Sequence, residues 1–160
     1  MRRISLLLLL IVLVGCNKQL EYAQYVSLPN GWVEHQSIPF YLDENDTLTP
    51  KNLFIMLRND EQYEFSNIFL ITKMEVPHSN KVIIDTLEYE MAKPNGEWLG
   101  DGVSVKESKL WYKENVSFPK KGNYSFSIEQ ADRTLGQNYG VKNLEGITEV
   151  GLSIEKISKK

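Results

Sequence analysis

The sequence predicts an all-β protein, an antiparallel β-sandwich of jelly-roll or immunoglobulin-like type with about eight strands. Three observations carry that expectation. Short apolar runs alternate with polar positions at period two, most clearly at Tyr124, Phe126 and Ile128. Clusters of Pro, Asn, Gly and Asp punctuate the chain between those runs. No segment holds a 3.6-residue apolar stripe over three turns, so no long helix competes.

The first sixteen residues stand apart from that pattern. Arg2 and Arg3 form a basic start, Ser5 to Val14 an apolar core, and Leu13-Val14-Gly15-Cys16 closes it with the only cysteine. A membrane span needs about 20 apolar residues, and Ile4 to Gly15 is too short. A small residue before a cysteine suits signal-peptidase cleavage and acylation of the thiol, as in a bacterial lipoprotein. The expected organisation is a signal peptide over 1–15, a lipidated tether over 16–24 with palmitate-type chains on Cys16, and one β domain over 25–157. A lone cysteine allows no intrachain disulfide, so stability must come from the core. Asn17 stands where an aspartate would mark inner-membrane retention, which favours the outer membrane and leaves its two faces as open alternatives.

Tyr25 to Leu28 is a candidate first strand, and Pro29-Asn30-Gly31 a turn before Trp32. Ile38, Phe40 and Leu42 alternate, as do Leu53, Ile55 and Leu57. Ile68 to Val76 is apolar on both parities at its start, as a central strand covered on both faces would be. Pro77-His78-Ser79-Asn80 turns the chain into Val82 to Met91, where a parity change between Ile84 and Leu87 suggests a β-bulge. Gly-rich turns bracket Trp98 and Leu99. Ser108 to Phe118 is the next strand, joined to the Tyr124 strand by the hairpin-sized Pro119-Lys120-Lys121-Gly122. A short helical turn is expected within Asp132 to Asn138, and Val150, Leu152 and Ile154 close the chain.

Removing 15 residues from 160 leaves 145, enough for one domain with a substantial core. Without Arg2 and Arg3, 16 basic residues face 21 acidic ones, a net charge near −5. That balance gives no reason to bind nucleic acid or an anionic bilayer, and Lys156, Lys159 and Lys160 read as a frayed soluble end. His35 and His78 lack partners at metal-ligand spacing, so no metal or cofactor is expected. No Gly-x-Ser-x-Gly elbow or phosphate loop appears. Asp43-Glu44-Asn45-Asp46 lacks the twelve-residue calcium-loop pattern. Asp43, Glu97 and Asp101 are acids in loop-like places, where solvation rather than glycoside hydrolysis is the ordinary reading. The expectation is a protein that is not an enzyme.

The aromatic residues are the candidate contacts: Trp98, whose flanking glycines would let a ligand or partner come close, and then Trp32 and Trp111. The competing reading buries each in the ends of the core. A glycan-binding sandwich with Trp98 and Trp32 as stacking platforms is the alternative function.

The Leu-Val-Gly-Cys box, Leu28-Pro29-Asn30-Gly31-Trp32 with Phe40 downstream, and Met74-Glu75-Val76-Pro77 carry a family likeness. So do Asp85-Thr86-Leu87-Glu88-Tyr89-Glu90-Met91 with Gly96-Glu97-Trp98-Leu99-Gly100, Phe118-Pro119 with Gly122, Tyr124, Phe126 and Ile128, and Gly146-Ile147 with Val150-Gly151-Leu152. On these residues the chain resembles the gliding-motility lipoprotein GldH family of the Bacteroidetes over nearly its whole length. The resemblance implies an outer-membrane lipoprotein needed for gliding, connected with type IX secretion and with other envelope proteins of that machinery. It brings no catalytic residue and no cofactor.

Overall fold

Ten strands and no helix are found among the residues described by the computed structural model, 19–133 and 140–157. The signal segment, Cys16, most of the expected 132–138 turn, and Lys159 and Lys160 lie outside the described residues. The strands are β1 (Leu20–Ser27), β2 (Trp32–Val33), β3 (Ile38–Glu44), β4 (Lys51–Asn59) and β5 (Asn67–Glu75). They continue as β6 (Val82–Glu90), β7 (Lys106–Val116), β8 (Gly122–Gln130), β9 (Asn143–Leu144) and β10 (Ile147–Lys156). Eight are long, as the alternation predicts. β1 begins at Leu20 rather than Tyr25, so five residues expected in the tether belong to the domain. Its register against β10, from Leu20 opposite Glu155 to Ser27 opposite Glu149, is held by backbone pairing that its mixed side chains do not announce.

One rule describes the pairing. β1 pairs with β10, β2 with β9, β3 with β8, β4 with β7 and β5 with β6, all antiparallel. The chain is thus one long ribbon that turns back at 76–81 and is rolled so that its four long pairs alternate between two sheets, the short β2–β9 pair standing apart as a two-stranded sheet. Pairings of β10 with β4 and of β8 with β5 complete sheets ordered β1-β10-β4-β7 and β3-β8-β5-β6. This is the jelly-roll winding, and it decides between the two sandwich types. It also sorts the connections. Segments 45–50, 76–81 and 117–121 meet at the end where Gln19 and Ile157 emerge, here the terminal end; 28–37, 60–66, 91–105, 131–133 and 140–146 form the far end.

The core lies between the sheets. Leu53, Ile55 and Leu57 from β4 and Val150, Leu152 and Ile154 from β10 face Ile38, Phe40, Ile68, Leu70, Tyr124 and Phe126. Each such large apolar side chain contributes roughly 1.5–3 kcal/mol when fully buried. The far end is closed by Trp32, wholly buried, whose Nε1–H donates to the Gln36 carbonyl at 2.9 Å. Gly31 makes this possible. Its φ is +78°, and a Cβ there would lie 2.7 Å from the Leu144 carbonyl oxygen. The terminal end is closed by Phe118, buried edge-on to Tyr124 at 4.9 Å.

Two local expectations are corrected. β6 has no bulge: its register runs unbroken from Val82 opposite Glu75 to Glu90 opposite Asn67. Ile83, Leu87 and Tyr89 share the half-buried parity with Asp85, while Val82 and Ile84 are exposed. Asp85 occupies an inward position because Lys113 Nζ at 2.8 Å and the Tyr112 hydroxyl at 3.2 Å hold its carboxylate. The 119–122 connection is no hairpin either. It carries the chain from β7 in one sheet to β8 in the other, pinned by inward-turned Phe118.

Candidate functional site

Sheet alternation decides which aromatics face out. With Leu53, Ile55 and Leu57 inward on β4, Phe54, Met56 and Arg58 point away from the core. On β7 they stand opposite Trp111, Lys109 and Glu107. The outer face of this sheet therefore carries a row in which cations lie on rings. Lys109 Nζ sits 4.1 Å from the Phe54 ring centroid and also binds Glu155 at 2.7 Å. Trp111 lies against the other side of Phe54, ring centroids 4.4 Å apart. Further along, the Arg58 guanidinium is 4.5 Å from the Tyr25 ring centroid and is held by Glu107 at 2.6 Å and by Glu149. Phe54 is thereby covered, whereas Trp111 keeps 55% of its surface in solvent. The row presents one flat indole on a rigid, charge-paired support. It offers contact area, not a nucleophile and base.

The three tryptophans do not form one surface. Trp32 is buried at the far end, which removes it as a contact residue, because its indole fills the core and its N–H is already used. Trp98 is half-buried at the same end, packed on the core with its ring centroid 6.1 Å from that of Tyr63. Of the three, Trp111 alone is strongly exposed, on the outer face of the β1-β10-β4-β7 sheet at its edge strand β7. No coplanar pair of exposed indoles exists among the described residues, so the sugar-stacking arrangement is not formed. The acids singled out in the sequence are separated too: Asp43 is at the terminal end, and Glu97 and Asp101 are at the far end, with Glu97 bound to Lys93 at 2.9 Å. His35 and His78 likewise lie at opposite ends, His35 within 3.2 Å of Glu129.

The Asp43–Asp46 cluster serves the fold. Glu44 is buried and accepts from the Asp46 N–H at 2.7 Å and from Lys51. The Asp46 carboxylate accepts from the N–H groups of Leu48 at 2.9 Å and Thr49 at 3.0 Å, and with the Thr49 side chain these hold its pKa down to about 2. Lys51 is fully buried and also meets Glu21 at 3.0 Å, so one ammonium ties β1, β3 and β4. Burial opposes its charge, yet the two carboxylates outweigh that and hold its pKa above the ordinary lysine value.

Asp132 is a titratable group that sequence reading passed over. It is 3% exposed, and Oδ1 accepts from the Phe69 N–H at 3.1 Å, while Oδ2 has no partner among the described residues. Burial pushes its carboxyl up to about 6 against the single hydrogen bond that lowers it. Trp111 was more legible. Its outward direction follows from Leu110 and Tyr112 being the inward parity, whereas Phe54 beneath it depends on the β4–β7 register.

Comparison with known proteins bears on what such a face serves. Residues 21–154 match the family described as GldH lipoprotein, from the second residue of β1 into β10. The chain belongs to the GldH lipoprotein family. A GldH homolog from Christiangramia forsetii, named a gliding motility lipoprotein, is 50% identical over 148 residues, covering 92% of this chain and 90% of the relative. The gliding motility lipoprotein GldH of Flavobacterium johnsoniae is 44% identical over 152 residues, 94% of each chain. The likeness to GldH spans both sheets and every long strand, as the resemblance in the sequence implies.

Proposed function

We propose that this protein is a non-catalytic lipoprotein of the gliding motility apparatus, anchored in the outer membrane through acylated Cys16 after removal of residues 1–15. The observation that carries the reading is end-to-end likeness to gliding motility lipoproteins at 44–50% identity. The signal grammar ending in Cys16 supports the anchor. The domain acts by touching other envelope proteins of the gliding machinery and of the associated type IX secretion machinery. Trp111 on its Phe54–Lys109 support is the contact residue that fits a partner carrying apolar side chains and carboxylates. Confinement by lipid raises the effective concentration of such a weak contact near membrane partners.

The test is Cys16→Ala in the full chain. Release of a folded domain from the membrane fraction, with loss of gliding and of type IX secretion, is the expected outcome. Full motility and secretion from the unanchored protein would contradict the proposal.

A further inference from the structure

We propose that the terminal end of the sandwich is a membrane-docking surface that recognises the headgroups of an anionic phospholipid bilayer; the inference rests on the anchoring proposed for Cys16. Reach comes first. Gln19 lies three steps along the chain from Cys16, and a chain spans at most about 3.6 Å per residue. Gln19 therefore stays within about 11 Å of the acylated cysteine whatever that segment's conformation. The lipid anchor holds this end, and the charge distribution then orients the domain.

The charges separate along the strand direction. At the terminal end, 76–81 and 117–121 present exposed Lys81, Lys120 and Lys121, and β10 ends in exposed Lys156. Most carboxylates there are already committed: Glu21 and Glu44 to Lys51, Asp46 to its own turn, Glu155 to Lys109. Asp43, Glu75 and Glu114, on the strands themselves, are the exposed exceptions. The far end has the opposite balance, with Glu61, Glu64, Glu97, Asp101 and Glu145 exposed against Lys93, which holds Glu97, and Arg133 and Lys142. A domain with net negative charge thus offers one basic end. An anionic surface attracts that end and repels the other.

An apolar tip accompanies the lysines. Leu48 is 88% exposed at the top of 45–50, in a turn fixed by the Asp46 carboxylate. At the same end an apolar cleft between the sheets, lined by Val76, Ile83, Val116 and Phe118, opens between Lys81, Lys113 and Lys120. A rigidly presented leucine and an apolar cleft ringed by ammonium groups match a headgroup layer over acyl chains.

The test uses the full, acylated chain reconstituted in vesicles of phosphatidylethanolamine with phosphatidylglycerol. Leu48→Cys and Val103→Cys, the latter 90% exposed at the far end, each carry a nitroxide or fluorescent label. The Leu48 label should be shielded several-fold from an aqueous quencher relative to the Val103 label. High salt, or Lys81→Glu with Lys120→Glu and Lys121→Glu, should remove that shielding while the protein stays with the vesicles. Equal accessibility of the two labels on vesicle-bound protein overturns the docking surface and leaves the anchor standing. Protection that salt does not relieve overturns its anionic recognition. A full chain that fails to float with the vesicles overturns both readings.

Discussion

Trp32 and Trp111 share a chemistry and differ in what surrounds them, and stability separates them. Trp32→Ala empties a wholly buried site and removes a satisfied N–H, so a loss of about 3–5 kcal/mol is expected in urea denaturation. Trp111→Ala should cost far less, because more than half its surface is already in water. Its effect should appear instead in gliding. Asp132 gives the pH-dependent counterpart. Burial lifts its carboxyl to about 6 in the fold against 3.8 for an unperturbed aspartate, so the folded state binds the proton more tightly. Its stabilising contribution is complete below pH 3.8 and is lost as pH rises to about 6. Asp132→Asn keeps an acceptor for the Phe69 N–H without the buried charge. It should raise stability at pH 7 by about 2 kcal/mol and flatten the stability profile between those limits, measured by chemical denaturation across pH. A lone aspartate after β8 gives no hint of this in sequence, since the Phe69 N–H that holds it comes from β5, distant in the chain.

At the scale of the element, period two was readable and pairing was not. β3, β4, β5 and β8 stand where their alternation places them. β1 escaped because an edge strand needs backbone partners more than an apolar face. β6 misled because Val82-Ile83-Ile84 is apolar on both parities and a charged residue, Asp85, points inward. The seam that joins these elements at the terminal end is the buried Lys51, linking β1 and β4 of one sheet to β3 of the other. Lys51→Ala leaves Glu44 buried without its cation and should cost about 3–5 kcal/mol. Lys51→Met combined with Glu44→Gln removes both charges and keeps an acceptor for the Asp46 N–H. It should recover most of that loss in the same denaturation assay.

At the scale of the whole molecule, the jelly-roll order rests on contacts between the two ends of the sequence, which local patterns do not encode. The winding gives the net charge a new meaning. A total near −5 argues against an anionic surface only if the charges are mixed evenly, and the fold leaves exposed lysines in excess at one end and exposed carboxylates in excess at the other. The same winding brings β1 and β10 side by side, so both termini leave the domain together. The arrangement proposed above is a compact β body held by an acylated Cys16. Mass spectrometry of the N-terminal peptide from the membrane fraction tests this most directly. The account predicts a chain that begins at Cys16 and carries acyl chains. A chain still beginning at Met1, or an unmodified Cys16 thiol, would contradict it.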